Sequence, residues 1–182
     1  MTSRRLVLIR HAQAQPGLSG PDADRPLTAQ GRLDGRAVGR WLVEQRLAPS
    51  RVVVSPAVRT RQSWAGAAAE LAAAGTPAPE PIIDERLYRN TPDDLLAVIG
   101  STPEETEVLV VVGHNPSMHL VAASLAATGP DDGSGDEAGR RMLAVGYPTS
   151  GVAVFDVEQT VVGWGEFGRS ATRLVAFAAP RG

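Results

Sequence analysis

The chain has 182 residues, 43% hydrophobic and 21% charged, with a formal net charge of −2, a length that suits one hydrophobic core and reads as one domain over residues 1–182. It holds no cysteine, and all 18 basic residues are arginine, which excludes disulfides, thiolate metal sites, cysteine nucleophiles, Schiff-base lysines and the lysine-ended phosphate loop. The arginines are scattered without a basic face for nucleic acid, and the apolar run near the N-terminus is too short for a signal core or a membrane span, so a cytoplasmic protein with neither nucleic acid nor membrane as partner is expected.

Residues 6–9 are a continuous apolar run ending at Arg10-His11, the pattern of a buried strand. A loop rich in Gly, Pro and Asp follows over 16–26. Thr28 is placed to cap a helix whose apolar positions Leu33, Ala37, Val38, Trp41 and Leu42 recur at three- and four-residue spacing, ending near Gln45. Residues 52–54 read as a second buried strand. Ser55 as cap and Pro56 as first helical residue predict an alanine-rich helix over 57–74. A Pro/Gly loop over 75–81, a brief strand at Ile82-Ile83 and a short helix opened by Pro92 come next. Residues 108–112 are the most apolar strand; it ends in Gly113-His114, and Asn115-Pro116 reads as a second cap-plus-proline start, for a helix over 117–127. The acidic, Gly-rich stretch 129–139 reads as a solvated loop, and 151–157, 161–164 and 174–177 as strands of a closing meander.

Strands alternating with helices predict an α/β fold, a three-layer α/β/α sandwich with a mostly parallel central sheet. Ligands in such sheets sit beyond the C-terminal strand ends. Three of those ends carry Arg10-His11, Ser55 with Arg59 one helical turn on, and His114. Arginine forks hold two phosphoryl oxygens at once, and Arg59 sits near a helix N-terminus that also favours an anion. A neutral imidazole can attack phosphorus in line when its other nitrogen is fixed, the role His11 is placed for. His114 is then the donor to the equatorial oxygens, with no metal and no cofactor required.

The ordered motifs Leu6-Val7-Leu8-Ile9-Arg10-His11-Ala12, Arg25-Pro26-Leu27-Thr28 with Gly31, Ser55-Pro56 with Arg59 and Gln62, and Gly113-His114-Asn115-Pro116 resemble the histidine phosphatase superfamily. The fold implied is phosphoglycerate-mutase-like. Within the superfamily the likeness is to the small SixA-type phosphohistidine phosphatases, and it spans residues 6 to about 127. It implies His11 as the phosphorylated nucleophile and Arg10, Arg59 and His114 as the phosphate pocket. Ala12 stands where the wider family usually has glycine, as in the SixA-like branch. The usual carboxylate acid has only Asp84 and Glu85 as possible counterparts, and neither lies in a clear acid motif.

A missing acid handicaps an alkoxide leaving group more than an imidazole, because the phosphoramidate P–N bond is labile. The segments available for lids are short, which suits a protein-borne phosphate. The expected activity is therefore a phosphatase acting through a phosphohistidine intermediate, most simply on protein phosphohistidine. The alternatives are a small-molecule phosphomonoesterase or mutase using Glu85 or Asp84, and a phosphate-recognition module without turnover. The partner is accordingly a phosphorylated protein or a small phosphorylated substrate. His119 lies five residues from His114, about 140° around a helix, and reads as structural. Arg61 reads as solvated. The glycine pattern Gly163, Gly165 and Gly168 matches a dinucleotide fingerprint in letters, but too little chain follows it, and it reads as turns.

Overall fold

The computed structural model describes residues 4–17, 20–128, 135–157, 163–166 and 172–182. Among the described residues six strands form one sheet: β1 (Arg4–Arg10), β2 (Arg51–Val54), β3 (Ile82–Ile83), β4 (Val108–Gly113), β5 (Val152–Val157) and β6 (Thr172–Ala178), in the spatial order β3-β2-β4-β1-β5-β6. The neighbours β3-β2, β2-β4 and β4-β1 are parallel, while β5 runs antiparallel to both β1 and β6.

The alternation of side chains along each strand splits the apolar residues between two layers. Val7, Ile9, Val52, Val54, Val110 and Val112 face α1 (Ala29–Glu44) and α2 (Val58–Ala73). Leu6, Leu8, Val53, Leu109, Val111 and Phe155 face α4 (Pro92–Gly100), α5 (Ser117–Ala127) and α6 (Glu137–Val145). The short helix α3 (Arg86–Arg89) buries Leu87 in the same layer. This is the three-layer arrangement expected from the sequence.

Thr28 caps α1 as expected, its hydroxyl accepting from Gly31 N–H at 2.9 Å. Leu33, counted on the apolar face, is half exposed, because α1 turns its small residues inward instead. Gly31, Gly35 and Gly39 are buried, and α1 lies so close to α2 that a Cβ on Gly39 would stand 2.7 Å from Ala67 Cα and a Cβ on Gly35 3.2 Å from Ser63 O.

Four local readings are corrected. Ser55 does not cap α2, and Pro56 is not its first helical residue: the cap position is Ala57, which has no side-chain bond, and the helix begins at Val58. Asn115 does not cap α5 either. The Asn115-Pro116 peptide is cis and Pro116 occupies the cap position. The stretch 129–139 is not loop throughout, since α6 begins at Glu137, where Asp136 Oδ1 accepts from Gly139 N–H at 2.7 Å. Trp164 lies in a 3-10 turn (Trp164–Glu166), not a strand, while Val161, Val162 and Gly168 fall outside the described residues.

Candidate active site

The register of the sheet assembles the site. Ile9 and Val54 both pair with Val112, and Arg10 pairs with Gly113, so the residues just beyond β1, β2 and β4 emerge together at one edge. His11 N–H donates to Gly113 O at 3.1 Å, and Ser55 N–H donates to Val112 O at 3.0 Å. The rings of His11 and His114 meet edge to face with centroids 5.2 Å apart. Arg59, in the first turn of α2, is buried beside them. A cavity of about 620 Å³ opens over this cluster, lined in part by Arg10, His11, Arg59 and His114.

Each of these side chains is oriented by the protein. His11 Nδ1 lies 2.7 Å from Ala12 O; a carbonyl only accepts, so Nδ1 carries the proton and Nε2 keeps a free lone pair. His114 Nε2 lies 2.7 Å from Ser55 Oγ, and its Nδ1 is buried with no protein partner among the described residues. If Ser55 O–H donates to Nε2, Nδ1 holds a spare N–H. Arg10 Nη1 donates to Tyr147 O at 2.7 Å, an acceptor shared with Asn115 Nδ2 at 3.0 Å. The Nε atoms of Arg10 and Arg59 are buried and without a partner among the described residues. Three nitrogens on side chains that line the cavity with His11 thus lack a protein partner among the described residues, a costly arrangement in a finished core and a natural one beside an anion.

Burial, together with the nearby Arg59 and Arg10, holds His11 down at about 4, against a weaker upward pull from its bond to Ala12. Burial, the adjacent His11 and Arg59 bring His114 to about 3. Both rings are neutral at neutral pH, the state in which an imidazole is a nucleophile.

Asp84 and Glu85 do not line the cavity. Asp84 is held by Arg86 through Nη2 at 2.7 Å, which keeps its carboxyl below the usual range, and Glu85 occupies the cap position of α3. His119 is also apart, with Nε2 2.9 Å from Leu143 O, and Arg61 is exposed on α2. The sequence reading did not assign Asp22, Tyr88 or Asn90, all of which line the cavity. Asp22 lies in a 3-10 turn (Asp22–Asp24) inside a stretch read only as loop, and its carboxylate accepts from Arg59 Nη2 at 2.9 Å, Tyr88 O–H at 3.0 Å and Arg25 Nε at 2.7 Å. Asn90, in left-handed conformation, accepts at Oδ1 from Ser117 O–H at 2.8 Å. Only the quoted Arg25 motif pointed toward this rim. Among the described residues no group of three or more His, Cys, Asp and Glu stands ready to hold a metal ion.

The model of the histidine phosphatase superfamily (branch 1) matches residues 6–89, the stretch that supplies Arg10, His11 and Arg59. The chain belongs to the histidine phosphatase superfamily. It is 29% identical to the candidate phosphohistidine phosphatase SixA of Nakamurella multipartitia and superposes on it with a TM-score of 0.78, covering 99% of this chain and 98% of that one. The corresponding protein of Agrobacterium tumefaciens gives 25% identity and a TM-score of 0.75 over 97% and 98% of the two chains. An uncharacterised protein of Mycobacterium leprae is 32% identical over 177 residues, 95% of this chain and all of its own length. The chain falls in the SixA-type branch of the histidine phosphatases, and the activity this supports is that of a phosphatase. No helix among the described residues is long and apolar enough to cross a membrane.

Proposed function

We propose that this histidine phosphatase hydrolyses protein-borne phosphohistidine through a phosphorylated His11, without a metal. The observation that carries the reading is the set of three buried nitrogens without a protein partner among the described residues, Arg10 Nε, Arg59 Nε and His114 Nδ1, on side chains that line one cavity with a histidine whose Nε2 lone pair is free. In the first step His11 Nε2 forms a bond to phosphorus. The substrate P–N bond breaks, and its electron pair stays on the departing imidazole nitrogen. In the second step a water oxygen attacks phosphorus, the His11 N–P bond breaks, and inorganic phosphate leaves. Arg10, Arg59 and the His114 N–H hold the charge of the three equatorial oxygens throughout.

A leaving imidazole favours this substrate over an alcohol. Asp84 and Glu85 lie outside the cavity lining and have no part in the proposal. Asp22 lies at the rim, but Arg59, Tyr88 and Arg25 outweigh its partial burial and hold it at about 2, so at neutral pH it has no proton to give. An alkoxide would leave without an acid, whereas an imidazole whose second nitrogen is protonated leaves as a neutral ring.

The test is incubation with a protein phosphorylated on histidine beside a panel of small phosphomonoesters. The expected results are faster turnover of the phosphohistidine protein and acid-labile phosphate trapped on His11. Much faster turnover of the phosphomonoesters would sink the substrate assignment, and an enzyme that never carries phosphate on His11 would sink the mechanism. His11→Ala is expected to abolish turnover while phosphate binding remains measurable, and Arg59→Ala to damage both.

A further inference from the structure

The inference concerns Asp22 and rests on the reading that a phosphoryl group binds between Arg10, Arg59 and His114. Arg59 presents the two Nη atoms of its guanidinium to a single residue. Nη1 donates to the backbone O of Asp22 at 2.8 Å, and Nη2 donates to its carboxylate at 2.9 Å. An arginine holds two oxygens of a phosphoryl group in parallel through this edge or through its Nε–Nη2 edge, and Nη2, the atom on the Asp22 carboxylate, belongs to both. The 3-10 turn Asp22–Asp24 therefore places an acceptor pair on the same donors. The two partners are unequally fixed: the Arg59 side chain is 7% exposed and that of Asp22 53%. The arginine stays in place, and the carboxylate is the group able to move away into solvent.

Arg25 and Tyr88 hold Asp22 on its remaining sides. Arg25 is itself anchored, its Nη1 donating to Gln15 O at 2.9 Å. The carboxylate is thus kept on the pocket without being buried in it. We infer that Asp22 is an internal competitor for the phosphoryl site: its carboxylate is displaced from Arg59 when substrate binds and returns as inorganic phosphate departs. It lowers the affinity of the site for free phosphate and so favours product release. A neighbouring negative charge that merely stayed put would act in the same direction on a dianion, through repulsion. The opposite role is that of an anchor which aims Arg59 at the phosphate. The two roles differ in the sign of what happens when the carboxylate is removed.

The deciding measurement is calorimetric titration of the intact protein with inorganic phosphate, for wild type, Asp22→Asn, Asp22→Ala and Arg59→Ala. Both Asp22 variants are expected to bind phosphate about tenfold more tightly, a size between the fully screened and partly screened limits for one like charge at a few ångströms. Product inhibition by phosphate should strengthen in parallel during turnover. Unchanged or weaker binding in both variants overturns the inference in favour of the anchor. Asp22 is exposed, and matched melting curves for the variants establish that they fold. If wild type binds phosphate, Arg59→Ala weakens it and the Asp22 variants do not tighten it, the competitor fails while the functional reading stands. If phosphate binding ignores Arg59 altogether, the reading of the pocket fails and the competitor fails with it.

Discussion

His11 and His114 meet edge to face, and both rings are neutral at neutral pH. Burial is the leading cause in both rings, followed for His114 by the adjacent His11, with Arg59 and Arg10 acting in the same direction on both. The chain has three histidines, so ring signals in an NMR titration can be assigned with His11→Ala and His114→Ala. Two of them are expected to stay neutral on acidification until about pH 4 for His11 and about pH 3 for His114. Because these folded values lie below that of a free imidazole, both groups stabilise the fold above about pH 6.5, and that contribution is lost as pH falls toward the folded values. Titration of either ring near 6.5 would count against a buried, neutral nucleophile. Four residues of the candidate site were legible in the sequence, since Arg10, His11, Arg59 and His114 lie at or just beyond the ends of apolar runs. Asp22, Tyr88 and Asn90 were not, because their place depends on where loops and a short helix come to rest. Ser55 was legible as a residue but mistaken in role. Its hydroxyl is committed to His114 Nε2, so the cap it was expected to form on α2 is absent.

At the scale of elements, α1 and α2 decide where Arg59 stands relative to β1. Their contact is made by glycines four residues apart on α1, and the backbone of Ala67 leaves no room for a side chain at Gly39. Gly39→Ala gains about 1 kcal/mol of helix propensity, but overpacking typically costs about 1–3 kcal/mol. The expected outcome of urea unfolding is a net loss of stability, and a gain would show that the seam has slack. The sequence pattern found α1 from its larger apolar residues and so put Leu33 on the wrong side; the glycines, silent in a hydrophobicity count, are what the helix buries. The strands over 6–9, 52–54 and 108–112 were legible because strands buried on both faces read as unbroken apolar runs. Helix α6 was not, because its start lies in an acidic, Gly-rich stretch. Asp136 makes the difference: one carboxylate oxygen caps the helix and the other accepts from Phe177 N–H at 2.9 Å, a contact with β6 that no local pattern announces.

Across the whole molecule, the C-terminal tail returns to the first helix. Asp34, only 1% exposed, accepts from Arg181 Nη1 at 2.7 Å, Gln30 Nε2 at 2.8 Å and Gly182 N–H at 3.2 Å. Burial pushes its carboxyl up, but these donors together outweigh burial and leave it below the ordinary value. Its contribution to stability is therefore present above about pH 4 and fades as pH falls through the folded value. Arg181→Ala leaves a buried carboxylate short of a partner, and a loss of about 1–3 kcal/mol is expected at neutral pH. Chemical denaturation repeated at lower pH should show the gap to wild type closing, and a gap independent of pH would remove Asp34 from the account.

The position of β4 has a consequence for how the chain is made. It is the last of the four parallel strands in sequence and occupies the middle of the sheet, between β1 and β2. While the first hundred or so residues are synthesised, β1 and β2 therefore have no common neighbour, and each presents an open row of amides and carbonyls. Pairing β1 with β4 spans about a hundred residues, the long-range closure that slows folding. His114 follows that same strand, so the two histidines first meet when β4 takes its place beside β1, and a nascent or truncated chain ending before β4 carries His11 with neither its shelter nor its partner.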